Sequence, residues 1–278
     1  MTPERSPSIN FQYINDPEGF RRACGEILRE PYLGFDTETT EIDPYHGNLR
    51  LIQLSTGRTT YVFDLLKFTD LKSDPVLEPL KEILGNEKIV KIAHNAKFDL
   101  KWVKHHLGCE VRGIFDTFLA SLLIAAGDSD RRHSLADVAQ FFTGVELDKS
   151  EQVSDWSAAE LTPSQLEYAA RDAQIMPALR EQMAERLKND RLEEAAEIEF
   201  QCLMPIAQLE LNGIFLDRER WIEQAERARR EEEAIAEQLQ EMLSAGVAQT
   251  SLFGRAEINL DSQQQVADAL RNLGIPVP

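Results

Sequence analysis

Cysteine is scarce in this 278-residue sequence: Cys24, Cys109 and Cys202 stand far apart, odd in number and without a C-x-x-C pair. That excludes a disulfide framework and a cysteine-built zinc site, and leaves neutral thiols in a reducing cytoplasm as the expectation. Long apolar runs are missing too. The best, FLASLLIAA at 118–126, is about half of the ~18 residues a membrane span needs, so no membrane partner is expected. The N-terminus, MTPERSP, has no basic region followed by an apolar one, which argues against a secretory signal and for a cytoplasmic location. Positive charge is in deficit, with 30 Lys and Arg against 48 Asp and Glu and a formal net charge of −18. A protein that coats nucleic acid by electrostatics alone is thereby excluded, since each neutralised phosphate needs a Lys or Arg. An enzyme that grips a strand end through metal ions is not. No repeat and no low-complexity linker interrupts the chain.

What is present is an α/β pattern. Residues 32–38, 49–55, 60–64 and 88–93 read as strands, with another near 113–115. The first three follow one another without a helix, as in an antiparallel meander. Helical periodicity marks 76–84, 96–106, 117–125, 135–142 and 163–188. From Asp190 the chain reads as helical to the end, apart from a break at 212–216 and a loose stretch at 244–257. Asp190 with Glu193, and Ser262 with Gln265, have the spacing of helix caps. The segment DRERWIEQAERARREEEAIAEQLQEML is charged on most faces, with Trp221, Ala225, Ile235 and Leu239 on a thin apolar stripe. Every lysine lies at or before Lys188, and Lys88, Lys91, Lys97, Lys101 and Lys104 crowd into one stretch. A solvated helix face and a phosphate track explain that crowding equally well.

Three acidic segments carry the chemistry. In LGFDTETTEID, residues two apart share a strand face, so Asp36 and Glu38 lie together while Leu33, Phe35 and Thr37 face the core. Two carboxylates at the end of a core strand are costly as bare anions. A divalent cation with oxygen ligands, Mg²⁺ or Mn²⁺ before zinc, would relieve them. In AHNAKFDLKWV, Asn95 is placed to cap a helix with Asp99 in its first turn, where the helix dipole favours an ionised acid. In LTPSQLEYAARD, Thr162, Pro163 and Gln165 form a capping box, with Leu161 and Leu166 as a hydrophobic staple. That register sets Tyr168 and Asp172 one turn apart on one face.

FDTET, then NAKFD, then YAARD resemble, in order and pattern, the three motifs of the DEDD superfamily of 3′→5′ exonucleases. Tyr168, four residues before the last Asp, points to the tyrosine-type branch, which holds ribonuclease D and the proofreading domain of family A DNA polymerases. The resemblance covers about 32–188 and includes LRLIQLST, IFDTFLASLL and the long HSLADVAQFF…YAARDA stretch, which looks much like ribonuclease D. From MPIAQLELNGIFLDRERW onward the chain resembles the start of the polymerase I thumb, without any polymerase catalytic motif. The expected organisation is therefore an exonuclease domain at 1–189 and a helical extension at 190–278, with no nucleotide addition.

The resemblance implies a ribonuclease H-like, five-stranded mixed sheet flanked by helices, and a C-terminal α-helical extension. It implies a metal-dependent 3′→5′ exonuclease that hydrolyses single-stranded DNA ends to nucleoside 5′-monophosphates with two Mg²⁺ or Mn²⁺ ions. Asp36 would bridge both ions, Glu38 and Asp172 would hold the ion on the water side, and Asp99 the other. Tyr168 would orient the water with Glu38. Thr37 through its amide, Ile42 as an apolar wedge and Asn95 by a backbone or sugar contact would meet the substrate, though Ile42 fits ordinary packing as well. Phe98 and Trp102 are expected in the core, and His133 in helix-start hydrogen bonding. An RNA 3′-end trimming enzyme like ribonuclease D is the alternative; a catalytically silent clamp is disfavoured by the intact acids and tyrosine.

Overall fold

The computed structural model describes residues 9–147, 154–244 and 258–277. The expected meander is formed by β2 (Tyr32–Thr39), β3 (Leu49–Ser55) and β4 (Thr60–Asp64), paired antiparallel. β5 (Val90–Ala93) and β6 (Ile114–Asp116) add to the far side in parallel, β5 against β2 and β6 against β5. A sixth strand, β1 (Phe11–Ile14), pairs parallel with β4, giving the mixed order β1-β4-β3-β2-β5-β6. β1 and the helix after it, α1 (Pro17–Ile27), were not foreseen; Asp16 caps α1 by accepting from the N–H groups of Glu18 and Gly19.

Helices cover both faces. On one lie α1, α2 (Glu78–Gly85) and α3 (Lys97–Leu107), which bury Phe20, Ile27, Leu80, Leu100 and Trp102 against Leu33 and Phe35. On the other lie α4 (Thr117–Ile124), α5 (Leu135–Thr143) and the long α6 (Pro163–Asn189), which enclose Ile92, Phe115, Val138, Met176 and Leu179. Phe98 packs at the margin of the first core beside the fully buried Trp102, as expected of core residues.

The compact unit runs past the expected break at 189, to Gly213, with a second unit from Ile214 to Pro278. The reason is α7 (Glu193–Asn212), whose Leu203 and Ala207 join one core and Ala196 and Phe200 the other. Asp190 does not cap this helix. It ends α6 and accepts from Arg186 Nε at 2.6 Å, and Leu192 begins α7 without a side-chain cap. In the second unit, α8 (Arg218–Ser244) exposes Trp221, Ile235 and Leu239. α9 (Gln263–Asn272) starts at the expected Ser262 cap, and Leu243, Ile258 and Ala269 form a small core there. The loose stretch after Ser244, 245–257, lies outside the described residues.

Candidate active site

β5 stops pairing with β2 at Gly34, opposite Ile92. Beyond that point no strand among the described residues pairs with that edge of β2, and the first turn of α3 lies there instead: the Thr37 hydroxyl donates to Asp99 Oδ1 at 2.6 Å. From the other face comes α6. Its backbone lies so close to β2 that a Cβ on Gly34 would stand 2.0 Å from the Ala173 carbonyl oxygen. The capping box of Thr162 and Gln165 starts α6 as the sequence requires, and Leu161 and Leu166 rest on one apolar cluster. In that register the Tyr168 hydroxyl donates to the carboxylate of Asp172.

Three segments thus meet at the end of β2, and Asp36, Glu38, Asp99 and Asp172 interact electrostatically. Burial raises the pKa of Asp36 most, followed by repulsion from Asp99, Glu38 and Asp172, while the Thr37 N–H pulls it down. Glu38 is raised by burial, then by Asp172 and Asp99. Burial lifts Asp99 to about 7 against the hydrogen bond from Thr37, and Asp172 to about 6 against those from Tyr168 and the charge of Arg171. Because the acids repel one another, a proton taken up by one eases the ionisation of its neighbours. Tyr168 is held protonated by burial and by the neighbouring Asp172, Glu38 and Asp36.

This donor set suits hard divalent cations, because no lysine or arginine figures among the main influences on Asp36, Glu38 or Asp99. Among the described residues, no three acidic, histidine or cysteine side chains already stand close enough to cage an ion. Ligation would therefore draw the carboxylates closer than they lie. A cavity of about 700 Å³ lined by Val90, Phe115, Arg180 and Phe200 contains none of them and is a separate feature.

The other candidates divide. Ile42 is 84% exposed, so ordinary packing does not explain it. Its loop is pinned by His106 Nε2 against the Pro44 carbonyl at 3.1 Å, by Thr39 Oγ1 donating to the Glu41 carbonyl at 2.7 Å, and by Tyr45 donating to the Leu211 carbonyl. Asn95 does not cap α3. It is exposed and takes a left-handed φ of 60°, a conformation asparagine tolerates, and Ala96 begins the helix without a side-chain cap. Asp116 fills that part: its buried carboxylate accepts from the N–H groups of Asn95, Ala96, Phe118 and Leu119 at 2.8–3.2 Å, tying the start of α3 to the start of α4.

Four of the five crowded lysines have structural partners. Lys97 and Lys101 grip Glu210 of α7 at 2.5 and 2.7 Å, Lys104 pairs with Glu110, and Lys91 is buried with its amine donating to the carbonyls of Ile83, Asn86 and Ile89. His133 bonds Ser121 of α4 rather than a helix start.

Arg50 was not anticipated. The register shift between Glu38 and Thr39 leaves it as the extra residue of a β-bulge, and its 1%-exposed side chain forks onto Asp64 at 3.0 Å. Its Nη1 donates to the carbonyls of Trp156 and Ala158, which lead into α6. An arginine inside LRLIQLS was the available signal.

Residues 11–188 match the family described as 3′-5′ exonuclease. The chain belongs to that 3′→5′ exonuclease family. DNA polymerase I of Aquifex aeolicus is 34% identical over 230 residues, 76% of this chain and 37% of the polymerase. This chain spans under half the length of curated relatives such as this polymerase and the ribonucleases D of Shewanella sp. and Pseudomonas paraeruginosa. Among solved structures, Escherichia coli RNase D, described as an exoribonuclease involved in structured RNA processing, superposes with a TM-score of 0.65 at 28% identity, over 72% of this chain and 51% of that one. Brucella melitensis NrnC gives 0.64 at 30%, over 75% and 95%, and has been solved with bound Mg²⁺ and with pGG. The exonuclease unit thus shares the fold of both.

Proposed function

We propose that the exonuclease unit is a metal-dependent enzyme that removes nucleoside 5′-monophosphates from single-stranded DNA 3′ ends. Asp36, Glu38, Asp99 and Asp172 would hold two divalent cations, Mg²⁺ or Mn²⁺. One observation carries the reading: carboxylates from three distant segments converge beside the Tyr168 hydroxyl, and no lysine or arginine figures among the main influences on Asp36, Glu38 or Asp99. When bound, the cations supply hydroxide near neutral pH and offset the charge of the phosphate.

The chain's own residues do the rest. Tyr168, kept protonated and bonded to Asp172, positions a water by hydrogen bonding rather than acting as a base. Ile42, on its pinned loop, offers an apolar face to the terminal base, and Asn95 stands open to a sugar or backbone contact. The Thr37 N–H faces Asp36 and Asp99, so an amide contact to the terminal nucleotide would be made at the rim of the carboxylate cluster. Burial holds Cys24 and Cys109 as neutral thiols at about 12 and 11, which suits a reducing cytoplasm. No helix among the described residues is long and apolar enough to cross a membrane.

The DNA preference has its own support. Similarity to the polymerase runs over 230 residues and so reaches beyond 11–188, into the part of 190–278 read as thumb-like. The test is digestion of matched 5′-labelled DNA and RNA oligonucleotides with Mn²⁺. A ladder shortening from the 3′ end, faster on DNA and lost in Asp36→Ala, is expected. Faster RNA cleavage overturns the DNA preference, and unchanged nucleotide release by Asp36→Ala overturns the site.

A further inference from the structure

Gln53 lies at the centre of β3, is 0% exposed, and neither its Nε2 nor its Oε1 has a hydrogen-bond partner among the described residues. Buried amides are almost always bonded, so one with both ends free demands a reason. The register supplies one. Gln53 is the direct cross-strand partner of Asp36, and antiparallel partners project from the same face of a sheet with their Cβ atoms about 5 Å apart.

The other neighbours on that face do not satisfy the amide. Leu51 and Val62 are apolar and pack against Ala169 and Ala170 of α6. The Ser55 hydroxyl is already paired with Thr60 Oγ1 at 2.9 Å and accepts from the Gly57 N–H at 3.1 Å. Thr60 in turn reaches the Ala170 carbonyl at 3.2 Å. Of the acids on that face, Asp36 stands directly across from Gln53 and Glu38 diagonally from it.

The geometry points to Gln53 as the positioning residue of Asp36, whose amide N–H orients the carboxylate for divalent cations; this rests on the metal-dependent reading above. The residue type fits the task. A lysine or arginine there would neutralise Asp36 and compete with the ions, whereas a leucine would leave the carboxylate free to turn. A neutral donor fixes its direction and keeps its charge. The cost is a buried amide left unpaired until Asp36 is drawn into ligation, so stability and ion binding make opposite demands at this position.

That opposition defines the test. Gln53→Met keeps the shape and removes the polar atoms. With EDTA it should melt at or above the wild-type temperature, because an unpaired buried amide has been deleted. Calorimetric titration with Mn²⁺ should show affinity falling about tenfold, as when other orienting partners of metal ligands are lost, with kcat falling and KM little changed. Mn²⁺ affinity within twofold of wild type overturns the proposal, whatever the melting temperature. If Gln53→Met does not fold, Gln53→Leu is read by the same titration. Asp36→Asn, run in parallel, separates the two ideas. If it keeps Mn²⁺ affinity, the metal site itself is misassigned; if it loses affinity while the Gln53 variants keep it, only the role of Gln53 fails.

Discussion

The Thr37 hydroxyl and the Asp99 carboxylate, 62 residues apart in sequence, are joined at 2.6 Å in a buried contact. The Thr37 side chain alternates away from Asp36 and Glu38 and was expected to face the core, with only the backbone amide meeting the substrate. It does so, at 6% exposure, and bonds from there the acid that α3 brings to the open edge of β2. Thr37→Val keeps the shape and deletes the donor, and should destabilise the fold by about 1–3 kcal/mol as a buried carboxyl loses its partner. Urea denaturation measures this. Thr37→Ser should recover most of both stability and nuclease rate, whereas equal behaviour of Val and Ser would show that the hydroxyl is unimportant.

Titration of the cluster gives a pH dependence of known sign. The native pKa values of all four acids are raised above the unfolded range near 4, to about 7 for Asp99 and about 6 for Asp172. The native state therefore binds more protons than the unfolded one, and stability falls as pH rises between about 4 and 7. Acids elsewhere with lowered values, such as Asp43 and Asp70, act in the opposite direction, so the readout must be a difference. In EDTA, Asp99→Asn should gain melting temperature relative to wild type as pH goes from 4.5 to 7.5. Saturating Mn²⁺ should cancel that gain and release protons on binding to the wild type. A difference that is flat with pH would mean the acids are not coupled as described.

How much of this was legible in the sequence depends on how local each feature is. β3 and β4 begin and end where periodicity put them, and Asp36, Glu38, Tyr168 and Asp172 could be placed because strand alternation and one helical turn fix neighbours within a segment. β1 escaped notice because FQYI is four residues long and gains its identity only from pairing with β4. Asn95 was read as a cap because it precedes a helix. Its left-handed turn is held by Asp116, which adjoins it only after β5 and β6 pair. Gln53 and Arg50 both lie in LRLIQLS, yet one depends on strand register and the other on a bulge, and neither shows in a single strand's pattern.

Gly34 sets how closely α6 approaches β2. A Cβ there would meet the Ala173 carbonyl oxygen at 2.0 Å, a backbone atom that no rotamer change can move. Gly34→Ala should therefore cost about 1–3 kcal/mol or more by overpacking. It should also push Asp172 away from Asp36. Mn²⁺ affinity, measured at a temperature where the variant is fully folded, should fall. Wild-type affinity would mean that the spacing between helix and strand has slack.

The Arg50–Asp64 pair makes the last prediction. Its side chains are almost fully buried, and Tyr13 also donates its hydroxyl to Asp64. Removing one charge strands the other without water, so Arg50→Met should lose about 3–5 kcal/mol and also release the carbonyls of Trp156 and Ala158. Because these carbonyls precede α6, the loss should reach Tyr168 and Asp172 and lower kcat as well as stability. The double variant Arg50→Met/Asp64→Leu removes both charges and should recover much of the stability, since an apolar pair of similar volume often replaces a buried ion pair at little cost. It should not recover the rate, because the stretch before α6 stays untethered. A double-mutant cycle on urea stability, with single-turnover rates on the same four proteins, separates the two effects. Rate recovering in step with stability would show that Arg50 serves the fold alone.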